Sequence, residues 1–428
     1  MSIVKNVFFS ALLGLIALDV GAQDKGYAKK CIEKLSSNRL HGRGYVKNGA
    51  DKAAKFIASE FEKIGLEPIG NDYFQHFEFP VNSFPSKMTV QVDKRRLLPG
   101  VDFLIHPGSP GIRGEFPIYL MQEFSELDQL LNALDEQASP FVLFVDWNAL
   151  DQLPKQTKSI LENALFRIHK FGYGKMVAIA EITSEKLTWS GSTKLFELPK
   201  FTVNCEGFSP SSGSTIKLNV KHKFYKNYSS KNVVGRLKGE NADSTIVLTA
   251  HYDHLGRMGK RCIFPGANDN ASGVSLMLNL AKELQKEDKK YDIVVIAFAA
   301  EEIGLLGSRY FVEHPLIDLS QIKFLVNLDL AGTGDEGIRI VNGSIYSKQF
   351  DRLASLNENG NWLSTIKTRG AACNSDHCYF HERNVPSFFI YTLGGIKAYH
   401  DVYDKYETLP LTAYDGYFKL LKSFILDL

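Results

Sequence analysis

The chain has 428 residues, 44% of them hydrophobic, and its 50 basic and 48 acidic side chains give a formal net charge of +2. At roughly 150 residues per domain this length predicts two or three domains with a large buried core. The near balance of charge argues against nucleic acid as a partner, because no net positive field would attract its phosphates.

Residues 1–22 have the pattern of a secretory signal peptide. Lys5 supplies the positive end, residues 7–18 form an apolar segment, and residues 20–22 (VGA) offer a small-residue cleavage site. A membrane span needs roughly 18–20 apolar residues, which this segment does not reach. A lipid anchor is also disfavoured, since the first cysteine is Cys31. We therefore expect an exported protein, periplasmic or secreted, without a stable membrane anchor once the signal is removed.

Apolar residues recur at helical spacing from residue 48 to 64, so an amphipathic helix is predicted there. The sequence pattern changes between residues 80 and 222. Turn-rich segments there alternate with strand-like PFVLFVDW, helical TKSILENALFRIHKFG and strand-like KMVAIAEIT. This pattern predicts an inserted smaller domain, either α/β or β-rich.

From residue 223 onwards, unbroken apolar strands alternate with helices, for example STIVLTA, ASGVSLMLNLAKELQKE and YDIVVIAFAA. Such alternation is typical of a parallel sheet that is covered on both faces. We therefore predict an α/β fold: a three-layer sandwich with a largely parallel mixed sheet, built discontinuously from residues 23–79 and 223–428.

The five cysteines of an exported chain allow two disulfides with one thiol left over. Cys373 and Cys378 are close enough in sequence to close a small loop, and we favour this pair. Buried free thiols are the alternative.

Imidazole and carboxylate side chains follow several of the predicted strands. Ligands of open parallel sheets bind outside the carboxyl ends of the strands, so these side chains should meet at one rim. They are His251, Asp253, Asp269, Glu301, Glu302, Asp329 and His400.

Carboxylates packed so closely would repel one another and could not all ionise. A divalent cation removes this conflict, and zinc binds both imidazole nitrogen and carboxylate oxygen. Two imidazoles and at least three carboxylates exceed what one catalytic zinc uses. We infer two Zn²⁺ ions, about 3.5–4 Å apart and bridged by a carboxylate and a water or hydroxide.

Five segments in order, HYD, GANDNASG, AAEEIGLLGS, NLDLAG and YH, resemble the secreted co-catalytic zinc aminopeptidases. The wider superfamily includes glutamate carboxypeptidase, glutaminyl cyclase and the transferrin receptor ectodomain. The resemblance covers residues 230–405 and implies a division of the metal ligands. His251 and Asp329 would bind one zinc, Glu302 and His400 the other, and Asp269 would bridge them.

The resemblance also assigns three further roles. Glu301 corresponds to the general base, which takes a proton from the attacking water and returns it to the leaving amine. Asp253 corresponds to a carboxylate that fixes the tautomer of His251. Tyr399 corresponds to a tyrosine that donates a hydrogen bond to the tetrahedral oxyanion.

Some neighbouring residues allow more than one interpretation. Asp269 and Asn270 are expected to cap a helix starting at Ala271 as well as to serve the metal site. His254 is interpreted as a packing or hydrogen-bonding histidine. Asp404 is either a carboxylate that supports His400 or a surface aspartate.

The resemblance implies an exported exopeptidase, an aminopeptidase whose substrates are peptides with a free N-terminus. A glutaminyl cyclase-like acyl transferase with one zinc is the alternative enzyme, and a non-catalytic binding protein on a peptidase scaffold is the alternative outside enzymes. The presence of the complete ligand set favours an active enzyme. Residues 80–222 loosely resemble a protease-associated domain that acts as a lid, or they form an unrelated insertion. The sequence does not indicate an oligomeric state or a preferred N-terminal residue.

Overall fold

Two β-sheets organise the computed structural model, which describes residues 25–125, 139–206 and 209–428. The predicted signal peptide, residues 1–22, lies outside this part of the chain. No helix within the described ranges combines the length and the apolar character that crossing a membrane requires.

The strands are numbered in chain order. They are β1 (Glu67–Pro68), β2 (Phe74–Ser83), β3 (Thr89–Val92), β4 (Arg95–Arg96), β5 (Phe103–Ile105), β6 (Ile112–Met121), β7 (Phe141–Asp146), β8 (Met176–Thr183), β9 (Lys200–Asn204), β10 (Thr215–Val220), β11 (Lys223–Leu237), β12 (Asn241–His251), β13 (Gly256–Met258), β14 (Cys262–Phe264), β15 (Tyr291–Phe298), β16 (Ile322–Asp329), β17 (Ile338–Val341), β18 (Ile366–Thr368) and β19 (Ser387–Thr392).

The α-helices are α1 (Lys25–Ser36), α2 (Gly49–Ile64), α3 (Lys155–Phe171), α4 (Gly273–Leu284), α5 (Leu306–Glu313), α6 (Ser347–Gly360), α7 (His377–Glu382) and α8 (Tyr414–Asp427). The segment Asn38–Arg43 forms a 3₁₀ turn, and Ala267–Ser272 forms a π-helical turn ahead of α4. The predicted helix over residues 48–64 is therefore confirmed as α2.

The first sheet has the strand order β1-β11-β15-β12-β16-β19-β17-β18, and β2 also pairs with β11. Its centre is parallel, because β12 pairs in parallel with both β15 and β16, and β16 with β19. The flanking strands β11 and β17 run antiparallel to their neighbours β15 and β19. The predicted largely parallel mixed sheet is confirmed.

Both faces of this sheet are covered, as the unbroken apolar strands predict. Leu248 of β12 packs into a core that α1, α2, α4 and α8 share. Its neighbour Val247 faces the opposite core with Phe311 of α5 and Phe380 of α7. Successive side chains of a strand point to opposite faces, so a helix-covered parallel strand must be apolar at every position.

The second sheet has the order β4-β3-β10-β6-β7-β8-β9-β5, with β6 to β9 parallel. Its cores are distinct from those of the first sheet, and one of them is covered by α3. The strands β2 and β11 form a long antiparallel pair of the first sheet, and the chain enters the second sheet after β2 and leaves it before β11. The expected limits of the insertion, residues 80 and 222, fall in and beside this pair, and the division into domains stays a prediction.

Cys373 and Cys378 form a disulfide with a Cα–Cα distance of 4.8 Å, which confirms the favoured pairing. The other cysteines, Cys31, Cys205 and Cys262, are free.

Candidate functional site

The carboxyl ends of three neighbouring parallel strands form the floor of a cavity of about 170 Å³. His251 is the last residue of β12, and Asp329 is the last residue of β16. Glu301 and Glu302 follow β15, whose buried apolar residues fix the position of the turn after it. These side chains therefore meet at the rim where ligands of open parallel sheets bind.

Asp269 lies between the two histidines and presents one oxygen to each. Its Oδ1 is 3.3 Å from Nε2 of His251, and its Oδ2 is 3.1 Å from Nε2 of His400. His251 Nε2 is also 3.4 Å from Oδ2 of Asp329. On the other side, His400 Nε2 is 3.1 Å from Oε2 of Glu302. The predicted ligands thus form two groups that share Asp269.

These separations fit the coordination of zinc. Ligands about 2.0–2.1 Å from a tetrahedral zinc ion lie about 3.3–3.4 Å from one another. The four contacts of the two histidines with Asp269, Asp329 and Glu302 measure 3.1–3.4 Å. One oxygen of Asp329, Oδ1, is buried and has no hydrogen-bond partner within the described part of the chain. A cation would satisfy such an oxygen, and the donor set is therefore chemically suited to two zinc ions.

The adjacent glutamates point to different sides of the site. Oε2 of Glu301 is 4.0 Å from Nε2 of His251, in the group that contains Asp329. Glu302 reaches His400, and its second oxygen Oε1 is 2.6 Å from Nδ1 of His254. His254 is therefore a hydrogen-bonding residue, as one of its two interpretations predicts, and it orients the carboxylate of Glu302.

Asp253 contacts His251 less directly than expected. The Nδ1 atom of His251 is 3.3 Å from the backbone oxygen of Asp253 but 3.9 Å from its carboxylate. The carboxylate instead accepts hydrogen bonds from the Tyr45 hydroxyl at 2.9 Å and from the Glu301 backbone N–H at 3.1 Å. The carboxylate of Asp253 therefore lies within ion-pair distance of the His251 imidazole but is not hydrogen-bonded to it, because two other donors bond to its oxygens. Burial raises the pKa of Asp253 to about 6.

Asp404 is buried and supports the site differently from either interpretation. It accepts hydrogen bonds from the backbone N–H groups of Asn268 at 2.8 Å and of Asp269 at 3.0 Å. It therefore holds the loop of the bridging residue, and the alternative of a surface aspartate is wrong. Burial raises the pKa of Asp404 to about 6.

The helix after this loop begins later than expected, at Gly273, not at Ala271. Asn270 accepts a hydrogen bond from the Gly273 backbone N–H at 2.9 Å, while Asp269 turns towards the histidines. The expectation that both residues cap the helix is right for Asn270 and wrong for Asp269, whose two oxygens are engaged by the imidazoles.

Arg43 was not identified from the sequence. Its buried guanidinium lies behind the predicted metal ligands, and all five of its N–H groups donate to backbone carbonyls. The acceptors are Tyr252 at 2.8 Å, Leu35 at 3.0 Å, Pro265 at 2.8 Å, Gly266 at 2.7 Å and Asp269 at 3.1 Å. Arg43 therefore ties the end of β12 to the loop that carries Asp269.

Asp376 is a second buried residue that sequence reasoning did not single out. Burial raises the pKa of its carboxyl to about 7, and the charge of His251 acts in the opposite direction. The only sequence signal is its place beside His377 in the segment SDH, residues 375–377.

The other residues that line the cavity are mostly aromatic or apolar. The ring of Tyr399 stacks on that of His400 with centroids 4.0 Å apart, and 47% of the residue is exposed. Further lining residues are Leu330, Asn374, Phe389 and Tyr391. The site therefore combines charged side chains with an aromatic and apolar lining that can hold the apolar part of a ligand.

Comparison with known proteins relates this site to characterised families. The model of peptidase family M28 matches residues 232–425. Aminopeptidase YwaD of Bacillus subtilis is 35% identical over 193 residues, which is 42% of this chain and 39% of that protein. The probable lipoprotein aminopeptidase LpqL of Mycobacterium tuberculosis is 32% identical over 135 residues, or 31% of this chain and 25% of its own length. The sequence matches thus span less than half of these relatives.

The fold is similar over most of the chain to a solved structure. The crystal structure of BSAP, a zinc aminopeptidase from Bacillus subtilis, matches with a TM-score of 0.69 over 94% of both chains at 22% identity. This likeness extends through both sheets and confirms the fold.

Proposed function

We propose that the chain is a two-zinc aminopeptidase acting on peptides with a free N-terminus, and the match of residues 232–425 to the model of peptidase family M28 supports this proposal. One observation carries the count of two: the oxygens of Asp269 face His251 and His400 separately, at 3.3 and 3.1 Å. A site for a single zinc would need only one of these groups.

His251, Asp329 and one oxygen of Asp269 would hold the first ion, and His400, Glu302 and the other oxygen would hold the second. When bound, zinc supplies Lewis-acid polarisation of the scissile carbonyl and a lowered pKa for the attacking water.

Glu301 moves the proton in this proposal. It lies beside the first group, and the hydrogen bond between its backbone N–H and Asp253 fixes the turn that carries it. Its carboxylate accepts a proton from the attacking water and returns it to the leaving amine, so the residue acts first as base and then as acid. The chain therefore requires no serine or cysteine nucleophile.

Tyr399 donates its hydroxyl proton in a hydrogen bond to the oxyanion of the tetrahedral intermediate. Burial and the nearby carboxylates of Asp269 and Glu302 raise the pKa of this phenol well above its usual range, so it keeps its proton. A protonated phenol is the donor that a developing negative charge needs.

We propose further that the protein is exported. The pattern of residues 1–22 supports this, and so does the disulfide between Cys373 and Cys378, because structural disulfides persist in oxidising compartments. The second sheet is proposed to act as a lid that restricts access to peptide ends.

A substrate panel with Glu301→Gln tests the function. The wild-type protein should release the N-terminal residue from aminoacyl amides, fail on N-acetylated amides, and lose activity with a chelator. Glu301→Gln should lower kcat by about 10²–10⁴-fold with the zinc content unchanged. Glu60→Gln is the matched control, because Glu60 is buried but pairs with Tyr27 and Lys63 far along the chain from the site ligands.

The same preparation separates the alternatives. A content of one zinc per chain, with cyclisation of N-terminal glutamine, would indicate the acyl transferase. Equal turnover of blocked and free substrates would refute the aminopeptidase.

A further inference from the structure

One of the proposed metal ligands is held in place by a segment of the second-sheet region. We call residues 186–191 the clamp segment and residues 397–403, which carry Tyr399 and His400, the histidine loop. Nζ of Lys186 donates to the backbone oxygens of Lys397 at 2.7 Å and Tyr399 at 3.1 Å, and it lies 2.7 Å from Oδ2 of Asp401. An ammonium group has three N–H donors, and all three are directed at this loop.

The partner carboxylate organises the loop from within. Asp401 is only 3% exposed, and it accepts hydrogen bonds from the backbone N–H groups of Tyr399 at 3.3 Å and Tyr403 at 2.7 Å. Between them His400 has a φ of 53°, in the left-handed region that is costly for a residue with a side chain. Such a conformation persists only when its surroundings fix it, and Lys186 neutralises the charge on which this arrangement depends.

Trp189 adds a second attachment. Its backbone N–H donates to the oxygen of His400 at 2.9 Å, and its indole N–H donates to the oxygen of Ile105 at 2.7 Å. The indole ring stacks on Phe264 at 4.8 Å between centroids. The clamp segment is therefore anchored in the second core and bonded directly to the residue that would bind the metal.

The far end of the clamp segment approaches the other ligand of the same group. A Cβ placed on Gly191 would lie 2.1 Å from Cγ2 of Ile303 and 3.5 Å from the backbone oxygen of Glu302. Glycine is therefore required for the segment to pass this close. His251 and Asp329, by contrast, terminate central strands of the first sheet.

We propose that the clamp segment is part of the metal centre, with Lys186 and Trp189 as positioning residues that set the affinity of the metal position formed by Glu302 and His400. The inference rests on the proposed two-zinc function. It gives the second-sheet region a role beyond covering the cavity: it completes one of the two metal positions, while His251 and Asp329 of the other position are fixed by strands of the first sheet.

The test is a zinc titration of the full-length protein by calorimetry after chelator treatment, on the wild type and on Lys186→Met. Wild type should bind two ions. Lys186→Met should keep one tight site and bind the second about 10–100-fold more weakly, the usual effect of removing a residue that orients a metal ligand. The lost activity should appear in kcat and should return when zinc is raised. Lys186→Arg should restore part of the second affinity.

Lys200→Met is the matched control, since Lys200 pairs with Glu181 at 2.9 Å within the second sheet. It should bind both ions as the wild type does. Unchanged affinity at both sites in Lys186→Met would overturn the inference, and so would equal weakening of both sites with a lower thermal midpoint. A wild-type protein that binds fewer than two ions would refute the two-zinc function itself, and the inference with it.

Discussion

Replacing Arg43 with lysine should destabilise the protein strongly while keeping the positive charge. The guanidinium donates five hydrogen bonds to backbone carbonyls in a site without solvent exposure. An ammonium has three N–H groups on one atom, so at least two carbonyls lose their donor. Each buried acceptor without a partner costs about 1–3 kcal/mol, which gives a loss of about 2–6 kcal/mol in the free energy of unfolding.

Urea denaturation followed by circular dichroism, with chelator present, measures this loss apart from any effect of bound metal. Arg39→Lys is the control, because Arg39 lies in the same 3₁₀ turn but is exposed, and it should change stability by less than about 0.5 kcal/mol. If Arg43→Lys matched this control, the carbonyl cluster would not depend on the guanidinium, and the account of how the two loops are joined would be wrong.

Two further predictions concern stability. Changing Cys373 and Cys378 together to serine should lower the free energy of unfolding by about 2 kcal/mol, the chain-entropy value for so short a loop. The change should also reduce kcat/KM, because Asn374 within the loop lines the cavity. Denaturation curves identical to those of the wild type would contradict the stability prediction. His106 and His169 are bonded to each other at 3.1 Å, and burial lowers their pKa values to about 3 and about 4. On acidification, the unfolded chain is protonated at these histidines before the folded protein is. Their contribution to the free energy of unfolding is therefore complete above about pH 6.5 and falls by about 2 kcal/mol per imidazole at pH 5. A His169→Gln variant that keeps the full pH dependence would refute the assignment.

The sequence alone predicted the parts of the site that depend on strand order. Unbroken apolar segments locate β12, β15 and β16, and a residue that ends a buried parallel strand can face only the common rim. The approach of His251, Glu301 and Asp329 therefore follows from the positions of these strands. The segment GANDNASG gave Asp269 by its resemblance to a known motif, since spacing alone does not place a loop.

The parts that sequence reasoning missed depend on contacts between distant loops. Arg43 lies 209 residues from Tyr252, whose backbone oxygen it binds, and Lys186 lies 211 residues from Lys397. Because the guanidinium of Arg43 bonds only to backbone carbonyls, no acidic side chain in the sequence indicates its position. Asp404 likewise bonds to backbone N–H groups, which any residue could supply. These contacts arise from how the loops pack, and no local pattern encodes them.

The same backbone contacts explain how four carboxylates can be held together before cations arrive. Asp269, Glu301, Glu302 and Asp329 would carry four negative charges when ionised, which two divalent ions balance. Without them, burial acts to lower the pKa of His251, but the charges of Glu301 and Asp329 outweigh it and raise that pKa well above its usual range. The imidazole then takes the positive charge that a metal would supply. Arg43 and Asp404 fix the loops through their main chain, and Lys186 adds an ion pair with Asp401. These bonds of Arg43, Asp404 and Lys186 occupy no side-chain atom of the predicted ligands. In the proposed two-zinc function, metal ions would therefore enter a site whose geometry is already set, and they would replace protons at the imidazoles.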